Sequence, residues 1–169
     1  PQGNTLAAVW ATGPNDVWAV GASGTIVHST GTIAAATSVF PTTADLTSIW
    51  GLSSTDIWVA GANGTVLRWN GSVWASLPTG TTDRINGISG SSSSDVWIVG
   101  DSGLMRHWNG TSWLPTAITT TKLNAVWSGG ASNVWVAGEG GLLLRYSSGA
   151  WSAPSSGASV ALNGIFGSS

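Results

Sequence analysis

The chain has 169 residues, 42% of them hydrophobic and only 7% charged, with 24 glycines, 12 tryptophans and no cysteine. So much apolar side chain argues for a buried core and against disorder, while a formal charge of −2 with five Lys and Arg provides no basic field for nucleic acid or an anionic membrane surface. Without cysteine there is neither a disulfide nor a thiolate metal site, and no apolar run approaches the roughly 18 to 20 residues of a membrane helix.

The opening residues, Pro1-Gln2-Gly3-Asn4, have neither the charged nor the apolar region of an export leader. The Ser/Thr/Gly-rich, Lys-poor and Cys-free remainder points to a bacterial protein at the cell surface or outside the cell. A segment Leu6-Ala-Ala-Val-Trp10 then begins a series. It recurs as Leu46-Thr-Ser-Ile-Trp50, Ile85-Asn-Gly-Ile-Ser89, Leu123-Asn-Ala-Val-Trp127 and Leu162-Asn-Gly-Ile-Phe166, with starts 40, 39, 38 and 39 residues apart (46−6, 85−46, 123−85, 162−123). Behind the first four copies come Asp16-Val-Trp18, Asp56-Ile-Trp58, Asp95-Val-Trp97 and Asn133-Val-Trp135, and then G-x-x-G at Gly21/Gly24, Gly61/Gly64, Gly100/Gly103 and Gly138/Gly141.

Each unit reads as four short strands, in the second copy 46–50, 56–60, 65–69 and about 73–77, rich in β-branched and aromatic residues between Gly, Asn, Ser and Asp. No helical period is sustained. Asn63-Gly64, Asn70-Gly71 and Asn109-Gly110 suit type I′ hairpin turns, whose two central residues take positive φ. Apolar residues occupy both faces of the second strand, Ile57 and Val59 against Trp58 and Ala60, as in a sheet packed between two neighbours. Four strands in about 40 residues is the period of a propeller blade. The expected fold is therefore an all-β propeller array over 1–169, with blades at 1–44, 45–83, 84–121 and 122–160 and an extra opening strand in 161–169. Four small blades with a duplicated opening strand make the array look incomplete. Either it continues in a longer propeller or copies associate through their open faces.

The pattern S-x-x-D-V-W-x-V-G-x-x-G-x-x-x-R/H-W-N-G-x-x-W, clearest at 53–74 and 92–113, resembles the tectonin-type repeats of lectin propellers and is similar to repeats of bacterial secreted propellers. The resemblance implies repeated sugar sites lined by aromatic and polar side chains, here Trp69/Trp74, Trp108/Trp113 and Tyr146/Trp151. The first blade has Ser29 at the first of these positions and no Trp after Thr30-Gly31, so it would lack a site.

Two polar patterns remain. Twelve residues after each second-strand Asp or Asn stands a cation or imidazole, giving the pairs Asp16/His28, Asp56/Arg68, Asp95/His107 and Asn133/Arg145. Constant spacing argues for a structural pair across adjacent strands, and Arg68, His107 and Arg145 could also line a cleft and hold a polyol or carboxylate. Catalysis has little to work with. The two histidines occupy equivalent positions in different blades, no serine sits in a nucleophile elbow, and Asp101 and Glu139 give one carboxylate per loop, far short of a calcium site. Neither a metal nor another cofactor is expected. The sequence supports a non-catalytic binding module, lectin-like toward neutral glycans, or alternatively a propeller scaffold for protein interaction or self-assembly with all its tryptophans in the core.

Overall fold

The computed structural model describes residues 3–31, 37–39 and 41–168. Pro1 and Gln2 of the opening segment, Ser169 of the extra-strand segment and part of the first blade's outer hairpin lie outside the described residues. The chain is all-β and forms four antiparallel four-stranded sheets, each a meander in sequence order. The first comprises β1 (Leu6–Gly13), β2 (Asp16–Gly21), β3 (Ile26–Ser29) and β4 (Thr37–Val39), and the second β5 (Leu46–Ser53), β6 (Asp56–Gly61), β7 (Val66–Trp69) and β8 (Trp74–Ser76). The third holds β9 (Ile85–Ser92), β10 (Asp95–Gly100), β11 (Met105–Trp108) and β12 (Trp113–Pro115), the fourth β13 (Leu123–Ser128), β14 (Asn133–Gly138), β15 (Leu143–Ser147) and β16 (Ala150–Ser152). These are propeller blades. Two compact units are present, Pro1–Thr82 with the first two blades and Asp83–Ser169 with the last two.

The G-x-x-G motif has two separate causes. At Gly61 the backbone is extended, but a Cβ would stand 2.0 Å from the Asp45 carbonyl oxygen, which accepts the Ala62 N–H at 2.8 Å. The close approach joins the start of one blade to its second turn. Gly64 has φ +63 beside Asn63 at φ 57, and Thr65 N–H returns to the Ala62 carbonyl. Two successive positive φ values make this the expected type I′ turn. The same geometry recurs at Ser23-Gly24, Ser102-Gly103 and Gly140-Gly141, three pairs without the Asn-Gly signature, because the Gly-to-Gly spacing and not the Asn specifies the turn.

Asn70-Gly71 and Asn109-Gly110 correct the sequence reading. The facing pairs Trp69↔Trp74 and Trp108↔Trp113 leave four-residue loops, and only Gly71 and Gly110 take positive φ. Asn70 Oδ1 accepts the N–H groups of Ser72 and Val73, and Asn109 Oδ1 those of Thr111 and Ser112. The asparagines act through side-chain-to-backbone bonds and not through left-handed backbone.

Cores form between blades. In the first unit Trp18, Val20 and Ile26 of one sheet pack with Leu46, Ile49, Ile57, Val59 and Leu67 of the next. The second unit repeats this with Trp97, Val99 and Met105 against Leu123, Val126, Val134, Val136 and Leu144. Each such side chain is worth about 1.5–3 kcal/mol when buried, and a blade has no core without its neighbour. Among the described residues, no helix is long and apolar enough to cross a membrane.

Two glycines of the second unit separate space from conformation. Both Gly103 (φ +73) and Gly149 (φ +83) are left-handed, but a Cβ at Gly103 meets the Thr119 carbonyl oxygen at 2.0 Å while one at Gly149 meets nothing within 4 Å. Gly149→Ala is expected to cost about 1–2 kcal/mol from backbone strain alone, and Gly103→Ala at least twice that, as read by urea denaturation.

Candidate functional site

Hairpin register makes the polar pairs. Because Trp18 faces His28, Trp58 faces Arg68, Trp97 faces His107 and Trp135 faces Arg145, the Asp or Asn two residues before each Trp lies on the same sheet face as the His or Arg. Asp56 accepts Nε of Arg68 at 2.8 Å on Oδ1 and an Arg68 terminal nitrogen at 3.0 Å on Oδ2. Trp58 Nε1–H also donates to Oδ1 at 2.9 Å, and the guanidinium lies 4.8 Å over the Trp58 ring. The fork-on-fork pair is thus stacked and partly covered, the arrangement in which Arg outperforms Lys.

Imidazole replaces guanidinium in two blades. His28 Nε2 lies 2.7 Å from Asp16 Oδ1 and stacks on Trp18 at 3.8 Å between ring centres, while His107 Nε2 lies 2.6 Å from Asp95 Oδ1 and stacks on Trp97 at 4.3 Å. The second carboxylate oxygen is taken by a first-strand hydroxyl, Thr12 for Asp16 and Ser91 for Asp95. Burial pushes the Asp16 carboxyl up, but bonds from Thr12, His28 and Trp18 outweigh it and hold the group below its ordinary value. At Asp95 the His107 bond is the main cause of a similar lowering, opposed by burial and helped by Ser91. In the fourth blade Trp135 Nε1–H donates to Asn133 Oδ1 at 3.1 Å, and Arg145 lies exposed over the Trp135 ring at 5.1 Å. A neutral amide cannot make the ion pair, so the arginine is held there by the indole face.

The aromatic candidates lie on the opposite sheet face and are engaged between blades. Trp69 and Trp74 of the second blade close on Trp18 of the first at 5.8 and 5.9 Å. Tyr146 and Trp151 of the fourth close on Trp97 of the third at 6.2 and 5.5 Å. Trp108 and Trp113 are buried and pack on each other at 5.5 Å. These are tilted and edge-to-face contacts of the kind worth about 0.5–1.5 kcal/mol beyond the area they bury. The indoles that suggested a sugar platform are occupied by other rings.

Sequence reasoning passed over a pair of clefts at the other end of these blades. One of about 750 Å³ in the first unit lies between the Asn63–Val66 turn, the segment after β8 at Leu77–Thr82, and Pro41-Thr42. Its counterpart in the second unit, about 550 Å³, lies between Glu139–Leu143 and Ala153–Ser156. A hydroxyl braces each in the same way, Thr79 Oγ1–H to the Gly64 carbonyl at 2.8 Å and Ser156 Oγ–H to the Gly141 carbonyl at 2.6 Å. The signal was present as a hydroxyl 15 residues after the last glycine of G-x-x-G, absent from the first and third blades, where Val39 and Ile118 stand. The walls combine carbonyl and hydroxyl groups with Leu77, Pro78 and Pro41 in one cleft, and Leu142, Leu143 and Pro154 in the other. Such walls can hydrogen-bond a main chain and hold small apolar side chains. Among the described residues no three His, Asp or Glu side chains gather as a metal site.

No protein-family model matches this chain, and no curated protein matches it. Solved structures do. A structure of YCF48 from Cyanidioschyzon merolae is similar over 94% of this chain and 59% of its own, at 18% identity and a TM-score of 0.70. A structure titled YCF48 bound to D1 peptide matches 67% of this chain and 42% of its own at 23% identity, with a TM-score of 0.59. The WD40 repeats of RRP9 match 88% of this chain and 52% of their own at 11% identity, with a TM-score of 0.71. The propeller fold is what these likenesses establish. This chain spans about half the length of those structures.

The acid pairs predict an asymmetric response. Asp56→Asn breaks a bidentate, indole-covered pair and is expected to cost about 1–3 kcal/mol, whereas Asn133→Asp, which offers Arg145 a carboxylate, should cost nothing and stabilise by up to about 1 kcal/mol. A carboxyl held low in the folded state binds fewer protons than in the unfolded one, so its contribution is full above the unfolded value and is lost as pH falls through the folded one. Stability should therefore decline below about pH 4, and Asp95→Asn should flatten that decline in melts taken between neutral pH and pH 2.5.

Proposed function

We propose that this chain is a non-catalytic propeller module that binds a protein partner, taking an extended, uncharged peptide segment at the G-x-x-G end of its blades. The reading is carried by the two clefts, which recur at equivalent places in the second and fourth blades with the same hydroxyl-to-glycine brace. Repetition of a shaped polar and aliphatic cleft, with no cationic side chain in its lining and the exposed Glu139 on one wall of the second, fits a main chain with Pro, Thr or aliphatic side chains better than it fits a phosphate or an acidic ligand. That one of the similar structures is a complex with a peptide accords with it.

The alternative of repeated glycan sites lacks a platform here. Trp69, Trp74, Tyr146 and Trp151 spend their faces on neighbouring aromatic rings, and Arg68 and His107 are committed to Asp56 and Asp95. Weak sites repeated in one chain gain by avidity, which suits a partner with several similar segments.

The test is selection of peptides on the immobilised chain followed by titration of the winners. Thr82→Arg in one cleft and Ser155→Arg in the other change exposed positions and should each weaken binding by about tenfold or more, 1.4 kcal/mol, with unchanged melting temperature. A glycan array that returns ligands, when peptide selection returns none, would replace this reading with the lectin one.

A further inference from the structure

Residues 162–167 lie on the fourth blade in the manner of a blade's first strand. Asn124 Nδ2–H donates to the Leu162 carbonyl at 3.1 Å, repeating the bond from Asn86 Nδ2–H to the Leu123 carbonyl at 2.9 Å that links the third blade to the fourth. Leu162 N–H donates to the Gly138 carbonyl at 3.0 Å. A Cβ at Gly167 would meet the Trp127 ring at 2.8 Å, as one at Gly51 meets the Trp10 ring at 2.6 Å where the first and second blades pack. The segment Leu162-Asn-Gly-Ile-Phe-Gly167 keeps the Leu, the Ile, an aromatic residue and the Gly of the strand it imitates, Leu46-Thr-Ser-Ile-Trp-Gly51. Yet among the described residues this segment belongs to no sheet, and Phe166 is 91% exposed.

The blade face beneath it is also short of a neighbour. Trp18 and Trp97 each receive an aromatic pair from the following blade. Their equivalent in the fourth blade, Trp135, is only half-buried, with Arg145 over its ring. An unpaired strand edge beside an indole that has its counterparts' geometry is a template with a stated complement.

We propose that residues 162–166 and Trp135 form an acceptor for the second, third and fourth strands of a further blade of this repeat. Its second strand, of Asp/Asn-Val/Ile-Trp type, pairs antiparallel with 162–166, and its W-N-G-x-x-W hairpin seats an aromatic pair on Trp135. The occupant is not the opening blade of a second copy. That blade offers Ser29 where the aromatic pair begins, and its own β1 would have to take the place that 162–166 already holds. The inference rests on blade packing and not on the peptide-binding reading.

The probe is a segment the chain already contains, 54–83, added after Ser169 so that Gly167–Ser169 lead into it as Gly51–Ser53 lead into β6. Hydrogen exchange at the amides of 162–166 should slow by more than about tenfold, and the melting temperature should rise. Replacing Trp69→Ser and Trp74→Ser in the added copy alone should abolish most of the gain, because Trp135 is then left uncapped. The same 54–83 peptide added to the unaltered chain gives a second measurement that does not depend on the extension folding, and it too should protect 162–166. Failure of both to protect those amides would overturn the proposal. So would a doubled mass of the unaltered chain by light scattering with 162–166 already protected, which would assign the surface to a second copy.

Discussion

A single blade of this protein cannot bury itself. Its strands are apolar on both faces, and the tryptophan of its second strand meets an aromatic pair only on the next blade. That contact, Trp18 on Trp69 and Trp74 in one unit and Trp97 on Tyr146 and Trp151 in the other, is the constraint on which the other features depend. It demands a sheet thin enough to be sandwiched, hence small residues and glycine at the close approaches. Stability in such an array is a sum over neighbouring pairs, so the chain's response to damage should be local to the blade interface affected.

The acid and cation pairs serve the same contact from behind. In the first two blades a carboxylate receives both the indole N–H and a stacked His or Arg, so the tryptophan is fixed by one edge and covered on one face, and in the third His107, bonded to Asp95, covers Trp97 in the same way. Its other features then face the neighbour in one orientation. Arg68 and His107, which looked in the sequence like ligands for a sugar or carboxylate, are in this way absorbed by architecture.

The fourth blade shows what happens where the pattern relaxes. Asn133 keeps the bond from Trp135 but cannot hold Arg145 as an ion pair, so the arginine keeps the place over the indole that Arg68 has over Trp58 without the carboxylate that fixes Arg68. This is also the blade on which 162–167 rests. His28 and His107 stay stacked on Trp18 and Trp97 while the following blade seats its aromatic pair on the same tryptophans, so Arg145 over Trp135 is compatible with an incoming pair.

Repeat spacing alone was enough to place four strands per unit, the G-x-x-G turns and the partners twelve residues apart, because local turn geometry sets hairpin register and register decides which side chains share a face. The asparagine turns after the third strands were misread, since Asn-Gly has two physical uses and only loop length chooses between them. Whether Trp69 or Trp74 offers its ring to a ligand or to Trp18 was never in the sequence. That depends on what the neighbouring sheet presents across the gap, a relation between residues about fifty positions apart that only packing determines. The clefts were invisible for the same reason, being shapes between a turn and a returning segment, although the hydroxyl that braces each left its spacing in the chain.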